Sequence, residues 1–108
     1  MEFSTHTTLE GAGRLTLDGD MTIYQAAQIK QALLDGVQSR QVLELDLSQV
    51  GEMDTAGFQL LVMAKRESER LGHALRIVAH SPGVGDVLGF YNMDAYFGVQ
   101  MVMLAERP

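Results

Sequence analysis

The segment that most limits what this chain can become is DLSQVGEMDTAGFQLLVMAKRESERL, from Asp46 to Leu71. Just ahead of it and into it, Leu43, Leu45 and Leu47 alternate with polar residues, the pattern of a strand that buries one face. The strand is expected to close at Asp46 and Ser48, where polar side chains emerge at the sheet's rim, and to pass through a short loop into a helix. Helix formers run from Gln59 to Arg70, and Gly72 stops them. Asp54 then stands as the N-cap and Thr55 at the first helical position, with Ala56 and Gly57 completing the first turn. A hydroxyl there faces solvent close to unpaired backbone N–H groups, at the positive end of the helix dipole. Such a position can receive, hold and release a phosphate.

The rest of the chain reads as further strands and helices. Residues 3–9 and 13–18 are β-prone runs separated by a glycine-bearing turn at Glu10 to Gly13, which predicts an N-terminal hairpin. After Asp18, Gly19 and Asp20, the residues Ile23, Ala26, Ile29, Leu33 and Val37 recur every three or four positions, an amphipathic helix that Thr22 can cap. Beyond Gly72, ALRIVAH is a short apolar strand. Ser81 and Pro82 then supply an N-cap and a first-turn proline for a helix through about Tyr91. Val99 to Leu104 suggest a last strand, with AERP as a frayed tail. The order β-β-α-β-α-β-α-β predicts a single α/β domain over residues 1–108, with three helices packed on a mixed sheet of four to five strands.

Composition narrows the function. The formal charge is −6 with only eight Lys and Arg, mostly interleaved with acids, which argues against a nucleic-acid surface and favours a basic partner. No cysteine is present, so disulfides and thiolate metal sites are excluded. No stretch approaches the roughly 18 uninterrupted apolar residues of a membrane span, and the start lacks a basic and then apolar leader. A soluble, cytoplasmic protein without direct membrane insertion is the expectation.

Catalytic constellations are sparse. There is no Gly-x-Ser-x-Gly elbow, His-Glu-x-x-His pair or phosphate-binding Gly-Lys-Ser/Thr loop. Glu44 and Asp46 share a strand face and form a candidate carboxylate pair, but nothing nearby supplies the apolar pocket that would raise one pKa, so they read as surface. His6 has no second ligand at a helical or hairpin spacing, and His73 and His80 read as loop residues. Gly83, Gly85 and Gly89 fail the dinucleotide fingerprint because Leu88 occupies its third glycine position. No enzyme activity, cofactor or metal is expected. On the helix from Asp54, angular steps place Leu60, Leu61, Ala64, Ser68 and Leu71 on the core face, and Gln59, Arg66 and Arg70 opposite. Phe58, Val62 and Met63 fall on the flanks, where they either form a docking surface beside Thr55 or lie under neighbouring helices.

Met53-Asp54-Thr55-Ala56-Gly57-Phe58, Asp46-Leu47-Ser48, Gly19-Asp20 ahead of the first helix, and Ser81-Pro82 together resemble the STAS domain family of sulfate transporters and anti-sigma factor antagonists. In the antagonists the segment reads Asp-Ser-Ser-Gly or Asp-Ser-Thr-Gly, and the residue after the Asp is phosphorylated. The resemblance puts that residue at Thr55, with Ala56 in place of the second hydroxyl. It implies a non-catalytic module that binds an anti-sigma factor with Ser/Thr kinase activity, and that a phosphatase resets. Asp54, Asp46, Ser48 and Gly57 would support the phosphosite, while Phe58, Gln59, Val62, Met63, Asp20 and Thr22 would face the partner. Where antagonists often carry Gly-Glu-Leu-Asp this chain has Gly19-Asp20-Met21-Thr22, and the sequence after Leu104 leaves no room for their fourth helix. The same likeness admits a constitutive subunit of a phospholipid-transport ABC complex beside its ATPase, or an adaptor in a chemosensory cluster.

Overall fold

The structure is a computed structural model that describes residues 1–93 and 95–97. Strands β1 (Glu2–Thr7), β2 (Gly13–Met21), β3 (Val42–Met53) and β4 (Ala74–His80) form one sheet in the order β1-β2-β3-β4. β1 runs antiparallel to β2, whereas β2–β3 and β3–β4 are parallel pairs. Helix α1 (Ala26–Ser39), preceded by a 3-10 turn at Ile23–Gln25, links β2 to β3; α2 (Thr55–Arg70) links β3 to β4, and α3 (Pro82–Phe90) follows. This is the expected mixed α/β order through the third helix. The expected last strand, Val99 to Leu104, lies outside the described residues.

Alternation sets the layers. Leu15 and Leu17 of β2, Leu43, Leu45 and Leu47 of β3, and Leu75 and Ile77 of β4 are all buried in one core. Onto them pack Ile29, Leu33 and Val37 of α1, Leu61 and Ala64 of α2, and Val84 and Leu88 of α3. Each such side chain withdrawn from water contributes roughly 1.5–3 kcal/mol, and this burial stabilises helices too short to persist alone. The other sheet face is polar. There Glu44 lies in register between Arg14 of β2 and Arg76 of β4. Its Oε1 accepts from Arg14 at 2.7 Å and its Oε2 from Arg76 at 2.8 Å. Glu44 is thus no half of a carboxylate pair with Asp46. Hydrogen bonds from Arg76 and then Arg14 hold its carboxyl below the usual range despite burial.

Three local expectations change. β2 does not stop at Asp18; it reaches Met21 through two register shifts against β3, with Gly19 at φ +133°. Pairing with the extended end of β3 satisfies backbone groups that a loop would expose, and the irregularities absorb the glycine. β3 likewise runs past Ser48 to Met53, leaving Asp54 alone between strand and helix. Finally, Ile23 lies outside the buried stripe of the first helix. Thr22 and Gln25 close a capping box around a tight 3-10 turn, and that turn directs Ile23 to solvent.

Candidate functional site

The start of α2 is held from three directions. Asp54 has extended backbone angles and caps the helix, its Oδ1 accepting from the Gly57 N–H at 3.0 Å. Its Oδ2 accepts from the Ile23 N–H at 3.0 Å, which ties the 3-10 turn to the same carboxylate. Its own N–H donates to the Met21 carbonyl at 3.2 Å. Hydrogen bonds from Gly57 first, and then Ile23, lower the Asp54 pKa, so the cap is a carboxylate at neutral pH. Gly57 is buried against the end of β2. A Cβ there would overlap the Met21 carbonyl oxygen and stand 2.9 Å from Met21 Cβ. Only glycine lets the helix start this close to the strand.

Thr55, the first residue of α2, is exposed, and its hydroxyl makes no hydrogen bond among the described residues. It borders a cavity of about 420 Å³ that is lined by Met53, Asp54, Thr55, Asp86, Val87, Phe90 and Tyr91. Sequence reasoning missed the α3 side of this surface. Phe90 and Tyr91, at the end of the helix expected through about Tyr91, are both exposed. Ile23 and Tyr24, beside the Asp54 tether, are exposed as well. The available signal was their position at element ends, where a side chain can escape the packed face.

Of the other expected site residues, the four on α2 share one groove and the rest lie apart. Asp46 and Ser48 do not support Thr55. Asp46 pairs with Thr16, and Met53 with Met21 five residues further along β2, a separation of roughly 16 Å at strand rise. Asp46 Oδ1 instead accepts from the Ser48 N–H at 2.9 Å and hydroxyl at 2.6 Å, closing a local turn on β3. Phe58 shows only its edge to the groove on its flank. It is 7% exposed, with its ring stacked on Tyr91 at a centroid distance of 4.3 Å and an angle of 12°. Leu60 and Leu71, expected in the core, are only half-buried. Phe58, Gln59, Val62 and Met63 nevertheless line one groove of about 690 Å³, separate from the Thr55 cavity, with Leu34 of α1, Arg66 and Met93. Asp20 Oδ1 accepts from the Glu52 N–H at 3.0 Å, and Thr22 is engaged in the capping box. Among the described residues no three His, Cys, Asp or Glu side chains converge as a metal site, and no helix is long and apolar enough to cross a membrane.

Residues 5–104 match the family described as Mlab, STAS domain. The chain belongs to the STAS domain family. A comparison with curated proteins finds no match. Among solved structures, the unphosphorylated anti-sigma factor antagonist SpoIIAA superposes with a TM-score of 0.72 at 17% identity, covering 96% of this chain and 92% of that one. An anti-sigma factor antagonist from Mycobacterium paratuberculosis gives 0.76 at 20% identity, with 91% and 85% covered. The phosphorylated form of the Bacillus cell fate determinant SpoIIAA gives 0.68 at 16%, with 96% of each chain covered. At these identities the STAS chain shares the antagonists' fold.

Proposed function

We propose that this STAS domain is a non-catalytic regulatory binding module whose association with a partner is switched by phosphorylation of Thr55. The observation that carries the reading is the placement of one exposed hydroxyl. It begins α2, next to an ionised cap and at the edge of an apolar cavity. A phosphate there adds roughly −1.5 to −2 charges at the positive end of the helix, which the fold tolerates. A partner seated over the cavity would have to strip that dianion of water, so modification releases the partner and leaves the fold intact. Likeness to anti-sigma factor antagonists supports an anti-sigma factor with Ser/Thr kinase activity as the partner, with a phosphatase restoring the binding form. The site residues are Asp54 and Gly57 as supports of Thr55, while Phe58 acts through the Tyr91 ring that it backs.

The test measures binding to an anti-sigma factor of the Ser/Thr kinase type from the same organism. Thr55→Ala keeps binding, Thr55→Glu weakens it, and the circular dichroism of both matches wild type. If both variants bind like wild type, the switch is wrong. A second reading, a constitutive subunit of a phospholipid-transport ABC complex, draws on the Mlab description of the matching family. Co-purification with an ATPase, with Thr55 unmodified by mass spectrometry across growth states, selects that reading.

A further inference from the structure

We infer that the surface around Thr55 takes a partner segment in which an apolar side chain is bracketed by lysines or arginines. The inference rests on that surface being the docking face, and it adds what the occupant must carry. Six large hydrophobic side chains are exposed among the described residues. Two of them, Phe90 (79%) and Tyr91 (41%), line the cavity beside Thr55, and a third, Ile23 (66%), is tied by its N–H to Asp54 with exposed Tyr24 next to it in the chain; the other two, Leu9 and Val42, lie in the β1–β2 turn and at the first residue of β3. Single exposed apolar residues are ordinary, whereas a cluster around one cavity marks an interaction surface.

The cluster is also held in place. Phe58 stacks behind Tyr91, and Phe90 meets Tyr91 edge-on at 5.1 Å and 83°. Rings fixed before binding lose little freedom on binding, so they serve as anchors.

Charge decides the partner. The cavity carries the carboxylates of Asp54 and Asp86, and no Lys or Arg lines it. Asp20 and Glu52 add two more acids on the adjoining strand ends, joined by the bond from the Glu52 N–H to Asp20. Five of the seven described cations are engaged elsewhere: Arg14 and Arg76 hold Glu44, Arg70 holds Glu67, Lys65 donates to the Leu75 carbonyl, and Arg66 lies in the α1–α2 groove; of the other two, Lys30 is exposed on α1 and Arg40 packs by Gly13 at the far end of β2. Asp86 has no hydrogen bond or ion pair among the described residues. An acidic rim around apolar walls complements a segment with a Leu- or Phe-like anchor and flanking cations. It repels acidic peptides and nucleic acid. A phosphate on Thr55 would fill the mouth of the cavity that the anchor must enter.

The experiment titrates isotope-labelled full-length protein with two synthetic peptides, Lys-Lys-Leu-Phe-Lys-Lys and Glu-Glu-Leu-Phe-Glu-Glu, both capped. The basic peptide shifts the amide signals of Thr55, Asp86 and Phe90, and its affinity falls about fivefold or more between low and high salt. Phe90→Ser weakens it about tenfold, Asp86→Asn reduces the salt dependence, and Leu9→Ser changes neither. Equal shifts from the acidic peptide, shifts confined to other surfaces, or Phe90→Ser binding like wild type would each overturn the inference. The Thr55→Glu protein separates the two readings. If it binds the basic peptide as wild type does, the docking surface stands and the switch is refuted; if wild type fails to bind, the surface is refuted whatever Thr55 does in cells.

Discussion

Replacing Gly57 by alanine places a methyl group against the Met21 carbonyl, 2.9 Å from Met21 Cβ and 3.0 Å from its carbonyl carbon. Helix propensity alone predicts a gain of about 0.5–1 kcal/mol, because alanine is the better helix former and loses less freedom on folding. Overpacking opposes it, typically by 1–3 kcal/mol. Here the obstruction is backbone rather than a side-chain tip, and it is fixed twice, by the β2–β3 pairing at Met21 and by the hydrogen bond from Asp54. The opposing effect therefore lies at the upper end, and the net change is a loss of about 2 kcal/mol. In urea this moves the unfolding midpoint down by about 1 M, at a slope of about 2 kcal/mol per M. Gly89 is the internal control. It lies near the end of α3, and a Cβ there meets nothing within 4 Å, so Gly89→Ala gains about 0.5–1 kcal/mol. If Gly57→Ala proves as stable as wild type, the close approach of α2 to β2 is not what positions Thr55.

Asp54→Ala removes the cap and the Ile23 tether, and lowers stability at pH 7 by about 1–2 kcal/mol. Because folding lowers the Asp54 pKa from 3.8, its contribution is complete above that value and is lost as pH falls through the folded value. Urea titrations should therefore show the gap between variant and wild type closing below about pH 4. Glu44→Gln leaves Arg14 and Arg76 without their shared carboxylate. As both guanidinium groups reach solvent, the loss stays near 1 kcal/mol at pH 7, and a loss above 4 kcal/mol by the same titration would refute that screening argument.

Much of the site was legible locally. Asp54 and Gly72 bracket the helix with a cap and a left-handed stop, Gly72 at φ +73°, and the described helix spans Thr55 to Arg70 between them. Leu43, Leu45 and Leu47 alternate because every second strand residue faces the core. The exposed apolar residues around Thr55 were harder to see, because exposure at an element end depends on what packs beside it. Phe58 and Tyr91 are 33 positions apart, and nothing near either one announces their stack. Asp46 and Ser48 were misplaced for a related reason: their local pattern matched the family, but the strand that carries them continues to Met53.

From sequence alone came the order of elements, the buried strand faces, the acidic balance and the hydroxyl after Asp54. Those properties are written within a turn or two of chain, in capping residues and in periods of 2 and 3.6. Sheet register alone brought Arg14 and Arg76 to Glu44. Tertiary packing alone seated Gly57 on Met21, tied Ile23 to Asp54 and gathered Phe90 and Tyr91 beside Thr55. Such meetings depend on how distant segments fill a shared volume, a condition that no single stretch of residues can encode.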